Sequence, residues 1–532
     1  MSKRVRNMIL AAVALVAVFA VTAVTFFALG VVAVPSWLGF LSWLAPDNSA
    51  DPDTTTSTSV VTTTTAVPDI VVLDKSKNAQ GDVVKAPVVS VNIQNQKDTY
   101  TIVTLEDTSM AVECYKDLIP DSVAINALCE SLTRLTALTE TTAMEQDEAY
   151  GLQTPAATVT VTYHDGTSAT VLIGDRSKGT DGYYCRVQGE TALYIIDAAI
   201  AESFFKDGMQ FIGKMIIAPP SVNKDDKDGQ PQLLNLWLTG TCREKPIEII
   251  TDVDAKYPGM TYVSTYVLRA PYLRAVDSDY FTTVTPNMTY LTAAGVAAVH
   301  PTVEQLESFG LADPYSVAAF TLSVVSTTGA DNGGTKTSHY NDREHMVLLG
   351  NKDENGHYYA LVDQYDIIYT LDPATVPWAE MQYEDVVNKL LFMKAITSVD
   401  SVSVTDNGAC ETFALAHYPD KEKRDEQMVV KADGKVYGTA EFRVLYQLMI
   451  GIKRVGAKEE GAAPTGEPLL ELAMTFNDGT EPMQLSFYPM TASRYLCVTA
   501  DGEQSAVSIK TVEDFLKQYR NYLNGDPVTS TY

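Results

Sequence analysis

The chain has 532 residues, of which 46% are hydrophobic and 20% charged, with 39 Lys and Arg against 67 Asp and Glu for a net charge of −28. That balance excludes wholesale disorder and collagen-like or coiled-coil repetition, and the length allows roughly three or four domains. The acidic surplus has the wrong sign for a phosphate backbone, so no nucleic acid is expected as a partner.

The first charged residues are Lys3, Arg4 and Arg6, and the next is Asp47. Between them, Met8 to Val34 is an apolar run of 27 residues broken only by Thr22, Thr25 and Gly30, and Pro35 ends it. A membrane core needs about 20 apolar residues of helix, so the run predicts a transmembrane helix over 8–34. A cleaved signal peptide is the alternative, with Ala28-Leu29-Gly30 as its small-x-small site. Its apolar region is typically only about 7–15 residues, and on length the uncleaved anchor is preferred. Trp37, Phe40 and Trp43 stand where rings favour the interface. By the positive-inside rule residues 1–7 are a cytoplasmic tail, and the bulk of this single-pass cell-membrane protein lies outside, extracellular or periplasmic.

Residues 45–68 read as a linker. Thr54 to Thr65 holds eight Thr, two Ser and two Val, a tract with little to bury. The six cysteines, Cys114, Cys129, Cys185, Cys242, Cys410 and Cys497, include no CxxC pair and are too sparse for a disulfide framework.

Beyond the linker the chain repeats itself. Ala149-Tyr150-Gly151-Leu152-Gln153-Thr154-Pro155 returns as Ser308-Phe309-Gly310-Leu311-Ala312-Asp313-Pro314. Tyr183-Tyr184-Cys185-Arg186-Val187 returns as Tyr358-Tyr359-Ala360-Leu361-Val362, and Leu193 to Asp197 as Ile368 to Asp372. The offset slips from 159 to 175 residues, so the second copy carries an insertion, placed in a hairpin around Thr327 to Glu344. A third, degenerate copy keeps Phe476-Asn477-Asp478-Gly479-Thr480 for Tyr163-His164-Asp165-Gly166-Thr167, and Gly502-Glu503 for Gly189-Glu190. It has Pro464 where Gly151 maps. The units run 69–215, 216–395 and 396–527.

Each unit reads as a helix followed by a four-strand antiparallel meander. Thr158 to Tyr163 alternates, Asp165-Gly166 turns, Thr170 to Ile173 returns, and turns at Asp181-Gly182 and Gln188-Gly189 bound two more strands. Ile125, Leu128, Cys129, Leu132 and Leu135 form the helix stripe, with Asp121 or Ser122 as cap. In the third unit the helix is placed over Ala440 to Ile450, capped by Thr439, with Phe442, Leu445 and Met449 inward. Gly151 and Gly310 are expected at positive φ. A helix-packed sheet gives an α+β fold.

The order helix, (Tyr/Phe)-Gly-Leu-x-x-Pro, strand, Asp-Gly-Thr, Tyr-Tyr-x-x-Val resembles a bacterial envelope-protein family of unknown function, with DUF4340-like repeats, over roughly Val88 to Tyr519. The resemblance implies a single-pass or signal-bearing accessory protein beside gliding-motility-type ABC transporter components. It supplies no catalytic residues.

No chemical constellation competes with that reading. Asn351 to Gly356 opens like a calcium loop, but Val362 stands where a bidentate Glu is needed, so a plain hairpin turn is expected. Asn223 to Gly229 fails the same test and reads as a solvated loop. Gly451 to Lys458 echoes a phosphate loop without its Gly-Lys-Ser/Thr ending. His339, His345 and His357, near Asp342 and Glu344, lack a partner motif for metal. There is no Gly-x-Ser-x-Gly. Tyr183-Tyr184 and Tyr358-Tyr359 alternate in a strand, so one ring of each pair is expected in the core. The expectation is a non-enzymatic scaffold without cofactor, metal or catalytic residue. The alternatives are a cell-wall glycan or small-solute binding ectodomain, whose cleft would be lined by aromatics at a repeat interface, and a hydrolase with unlocalised carboxylates.

Overall fold

The computed structural model describes residues 69–530, apart from 79, 85–86, 142–145, 258, 262–263, 330–334 and 364–365. The expected tail, anchor and linker, residues 1–7, 8–34 and 45–68, lie outside the described residues. No helix among the described residues is long and apolar enough to cross a membrane.

Alternation of β-branched and polar residues builds three large antiparallel sheets. In the first, the order across the sheet is Met110–Val112, Thr99–Thr104, Val88–Asn95, Ala157–Tyr163, Ser168–Arg176, Gly182–Val187, Leu193–Asp197 and Thr139–Thr141. In the second it is Arg274–Ala275, Tyr266–Ala270, Ile247–Thr251, Gln230–Thr239, Ser316–Gly329, Thr335–Lys352, Tyr358–Val362, Ile367–Leu371 and Gly295–Val299. In the third it is Lys435–Tyr437, Met428–Ala432, Ala409–His417, Val399–Asp406, Leu470–Phe476, Met483–Pro489, Arg494–Thr499, Gln504–Ser508 and Arg454–Ala457. The connectivity is the same each time. One meander runs outward, the chain crosses over through helix and an edge strand, and a four-strand meander returns beside the first strand. The fold is therefore α+β and mainly β.

The meander expected from sequence is only half of each sheet. The preceding strands, such as Val88–Asn95 and Thr99–Thr104, complete it. In Ala157–Tyr163 the odd positions Ala157, Val159, Val161 and Tyr163 are buried, and the threonines between them face outward. Thr327 to Glu344, where the insertion is expected, falls in the long hairpin formed by Ser316–Gly329 and Thr335–Lys352.

The first helix, Ser122–Thr133, is capped by Asp121, whose carboxylate accepts from Ala124 N at 3.0 Å. It buries Ile125, Leu128, Cys129 and Leu132. Leu135 is also buried, but in the strand Arg134–Ala137 and not on the helix. The crossover helix of the third sheet, Thr439–Ile450, has Gly438 as N-cap, and the Thr439 hydroxyl donates to Met428 O instead of capping.

The (Tyr/Phe)-Gly-Leu motif has one geometry in two sheets. Gly151 has φ +70° and Gly310 φ +72°. Leu152 and Leu311 are buried, and Tyr150 and Phe309 pack on Tyr184 and Tyr359 with centroids 5.0 and 4.3 Å apart. The Asp-Gly-Thr turns also match between the first and third sheets. Lys75 Nζ donates to Asp165 and Thr167, both at 2.8 Å, and Lys394 Nζ to Asp478 at 3.1 Å and Thr480 at 2.6 Å.

A buried Arg243 organises the second sheet. Its guanidinium donates to the carbonyls of Thr239, Trp378, Ala379 and Met381 and to the Ser316 hydroxyl. Burial pulls its pKa below the usual arginine value.

Candidate functional site: the junction of the second and third sheets

The last strand of the second sheet's first meander, Arg274–Ala275, and the edge strand of the third, Arg454–Ala457, are joined by the connector between them. Asn388 N donates to Ala275 O at 2.9 Å and Asp277 N to Val386 O at 2.7 Å on one side. On the other, Arg454 N donates to Lys389 O at 2.8 Å, and Leu390 bridges Lys453. The connector thus fills both exposed edges, where unpaired backbone groups would otherwise lie open.

Glu503 sits at this seam, fully buried, on the turn between Arg494–Thr499 and Gln504–Ser508. Arg454 binds it bidentately, Nε to Oε1 and an Nη to Oε2, both at 2.8 Å. From the second sheet, Arg274 Nε reaches Oε2 at 2.6 Å and the Tyr383 hydroxyl donates to Oε1 at 2.9 Å. Arg274 also holds Asp501 through two donors at 2.8 and 2.9 Å. Burial opposes ionisation of Glu503, but the guanidiniums of Arg454 and Arg274 outweigh it and hold its carboxyl below the ordinary range. Asp501 is lowered likewise, burial being overcome by Arg274 and Thr499. Burial, then the charge of Glu503, pushes the Tyr383 phenol well up.

Beside this network lies a cleft of about 460 Å³. Leu273, Leu391, Phe392, Met393, Met483 and Leu485 are among its walls, and Arg274, Asp501 and Lys394 also line it. A cleft was expected at a unit interface if the protein binds solute. Its lining differs from the expectation: aliphatic and thioether groups dominate, and Phe392 and Phe476 are its aromatic members.

The candidates singled out in the sequence do not converge here, with one exception. Asn351 to Gly356 is the turn between Thr335–Lys352 and Tyr358–Val362. Asp353 accepts there from Asn355 N and His357 N, both at 2.8 Å. Asn223 to Gly229 is tied by Asp226, which accepts from Tyr340 and Ser326. The three histidines go to three separate carboxylates: His339 to Asp342 at 3.1 Å, His345 to Asp363 at 2.9 Å, and His357 to Asp353 at 3.6 Å. No cluster of metal-ligating side chains occurs among the described residues. Tyr358 is buried and Tyr359 half-buried, whereas Tyr183 and Tyr184 are both half-buried against Phe205 and Tyr150. The six thiols are unpaired, and burial pushes Cys129, Cys185 and Cys497 up to about 12. The exception is Gly451 to Lys458. It ends the crossover helix and delivers Arg454 to Glu503. Both residues lie in motifs of the sequence, but their pairing joins positions 49 apart, and Arg274 is 229 from Glu503, beyond any local pattern.

Residues 115–224 match the family model described as a domain of unknown function, DUF4340. The match covers the crossover helix and returning meander of the first sheet and runs on to Lys224. No curated protein matches the chain.

Proposed function

We propose that the chain is a membrane-anchored, extracytoplasmic accessory protein built from three copies of one module, acting by binding and not by catalysis, beside an ABC transporter. The observation that carries the reading is the junction. Its ionisable groups are committed to each other, and its buried acid is held ionised. A general acid needs its pKa raised toward neutrality, which is the opposite arrangement. What the junction offers outward is apolar contact at a seam braced by ions. The shared strand order of the three sheets supports duplication. The apolar run 8–34 and its flanking charges support the anchor. Affinity-tagged full-length chain, solubilised from its native membrane, is expected to bring down the membrane-spanning and nucleotide-binding subunits of an ABC transporter. Recovery of the chain alone would sink this reading.

A second reading, capture of a wall glycan, is favoured by one row of the second sheet. Trp237, Ala319 and Met346 stand side by side across three strands, and Asn235, Thr321 and Glu344 form the neighbouring row. Trp237 is 41% exposed, and the small Ala319 leaves a shallow trough beside it. A sugar face stacks on such a ring while hydroxyls meet the polar row. Trp237→Ala is expected to abolish binding of soluble wall oligosaccharides in a fluorescence titration; equal binding by both proteins would retire the reading.

A further inference from the structure

The cleft between the second and third sheets presents mostly apolar surface, and the two guanidiniums in its lining are already paired. Arg274 is committed to Asp501 and Glu503, and Arg454 to Glu503 and the carbonyls of Asn388 and Leu390. The connector backbone is bonded to the two sheet edges at Val386, Asn388 and Lys389. A peptide laid in the cleft brings an N–H and a C=O with each residue, and each needs a partner when dehydrated. A sugar brings hydroxyls with the same need. A chain of methylenes brings none. The shape suits it too. Met260, Met393 and Met483 line the space with unbranched, adaptable side chains. A volume of about 460 Å³ falls within the ~300–1,000 Å³ of small-molecule sites.

We infer that this cleft holds a single straight alkyl chain of an amphiphile, with the polar head at the rim beside Lys394, Thr480 and Glu481. Lys394 has three donors, of which Asp478 and Thr480 take one each, leaving one for a head oxygen. The inference deepens the accessory reading by giving its junction a ligand class, and it does not need the transporter.

The test uses the full-length chain in nanodiscs and diazirine-tagged saturated fatty acids from octanoate to palmitate. A second series of lysophosphatidylcholines carries the same tagged chains. Labelled peptides are read by mass spectrometry. Label is expected on peptides containing Leu273, Met393 and Met483. The half-saturating concentration should fall about fourfold per added methylene until the cleft is full, then level off. Met393→Glu places a charge on the wall at a side chain that is 42% exposed, so folding is spared. It should raise the half-saturating concentration roughly tenfold or more. Val436→Glu, on the exposed far edge strand Lys435–Tyr437, should leave it unchanged. Labelling by the acids alone identifies a free fatty acid as the source, and labelling by the lysolipids alone a phospholipid; both support the alkyl occupant. Three results overturn it: no saturable label at these peptides in either series, no dependence on chain length, or a folded Met393→Glu protein labelled like the parent. Such a result alongside a co-purifying transporter removes the ligand and leaves the accessory role standing.

Discussion

Glu503→Gln is expected to lower the unfolding free energy by about 3–5 kcal/mol, because it removes one member of a buried charge network and leaves the others uncompensated. Arg454 has a side chain only 5% exposed, and among the described residues its carboxylate partner is Glu503, both of whose oxygens it holds. Arg274 would keep Asp501, so the orphaned charge falls on Arg454. The Arg520–Asp406 pair gives the contrast. It is bidentate at 2.6 and 2.8 Å, but the Arg520 side chain is 54% exposed. Arg520→Ala should therefore cost at most about 1 kcal/mol. Urea unfolding of both variants measures the difference; equal losses would show that burial at the seam contributes nothing special. The same network sets a pH dependence. Glu503 and Asp501 are lowered in the folded chain, so the unfolded chain takes up their protons first. Their stabilisation is complete above about pH 5 and is lost as pH falls through the lowered folded values. The urea midpoint of the parent should drop on acidification, and that of Glu503→Gln should drop less. A variant with the parent's full slope would place the acid sensitivity elsewhere.

What the sequence made legible was local. The alternation of Thr158 to Tyr163, the Asp-Gly-Thr turns, the positive φ of Gly151 and Gly310, and the stripe from Ile125 to Leu132 each depend on neighbours a few residues apart, and they stand in the structure. Two local errors have local causes. Leu135 continued the helical spacing but lies in a strand, because periodicity marks burial and not where a helix stops. Thr439 is a good capping residue, but the Met428 carbonyl one strand away claims its hydroxyl. The larger omission was the outward meander of each sheet. Val88–Asn95 alternates as clearly as Ala157–Tyr163, but no matching motif elsewhere in the chain marks it. The seam was illegible for a different reason. In the first sheet the turn residue Glu190 is exposed, and its counterpart Glu503 is fully buried. A sequence match between the two carries no sign of which one faces a neighbouring sheet.

Gly174→Ala and Gly350→Ala should each destabilise the chain by about 3 kcal/mol or more, at or above the usual range for overpacking. The reason is a backbone approach that only glycine permits. A Cβ on Gly174 would lie 2.1 Å from Tyr150 O, and one on Gly350 would lie 2.1 Å from Phe309 O. Those carbonyls belong to the residues just before Gly151 and Gly310, so the motif docks its own turn against the strand glycine. Backbone cannot swing aside as the tip of a side chain can, and the displaced turn would lift Leu152 or Leu311 out of the core. The third sheet supplies a natural comparison. Ile173, Leu349 and Phe487 pair with the first residues of the preceding strands, and the residues that follow are Gly174, Gly350 and Tyr488. Where that glycine is a tyrosine the aromatic-Gly-Leu motif is also missing, as the docking geometry demands. Two controls separate steric closure from loss of glycine itself. Gly166→Ala meets open space but must hold φ +80°, at about 1–2 kcal/mol. Gly179→Ala meets open space without positive φ and should stay within about 0.5 kcal/mol of the parent. Thermal and urea unfolding should rank the losses Gly174 and Gly350 above Gly166, and Gly166 above Gly179. Gly174→Ala or Gly350→Ala falling level with Gly179→Ala would mean that the turn does not dock there.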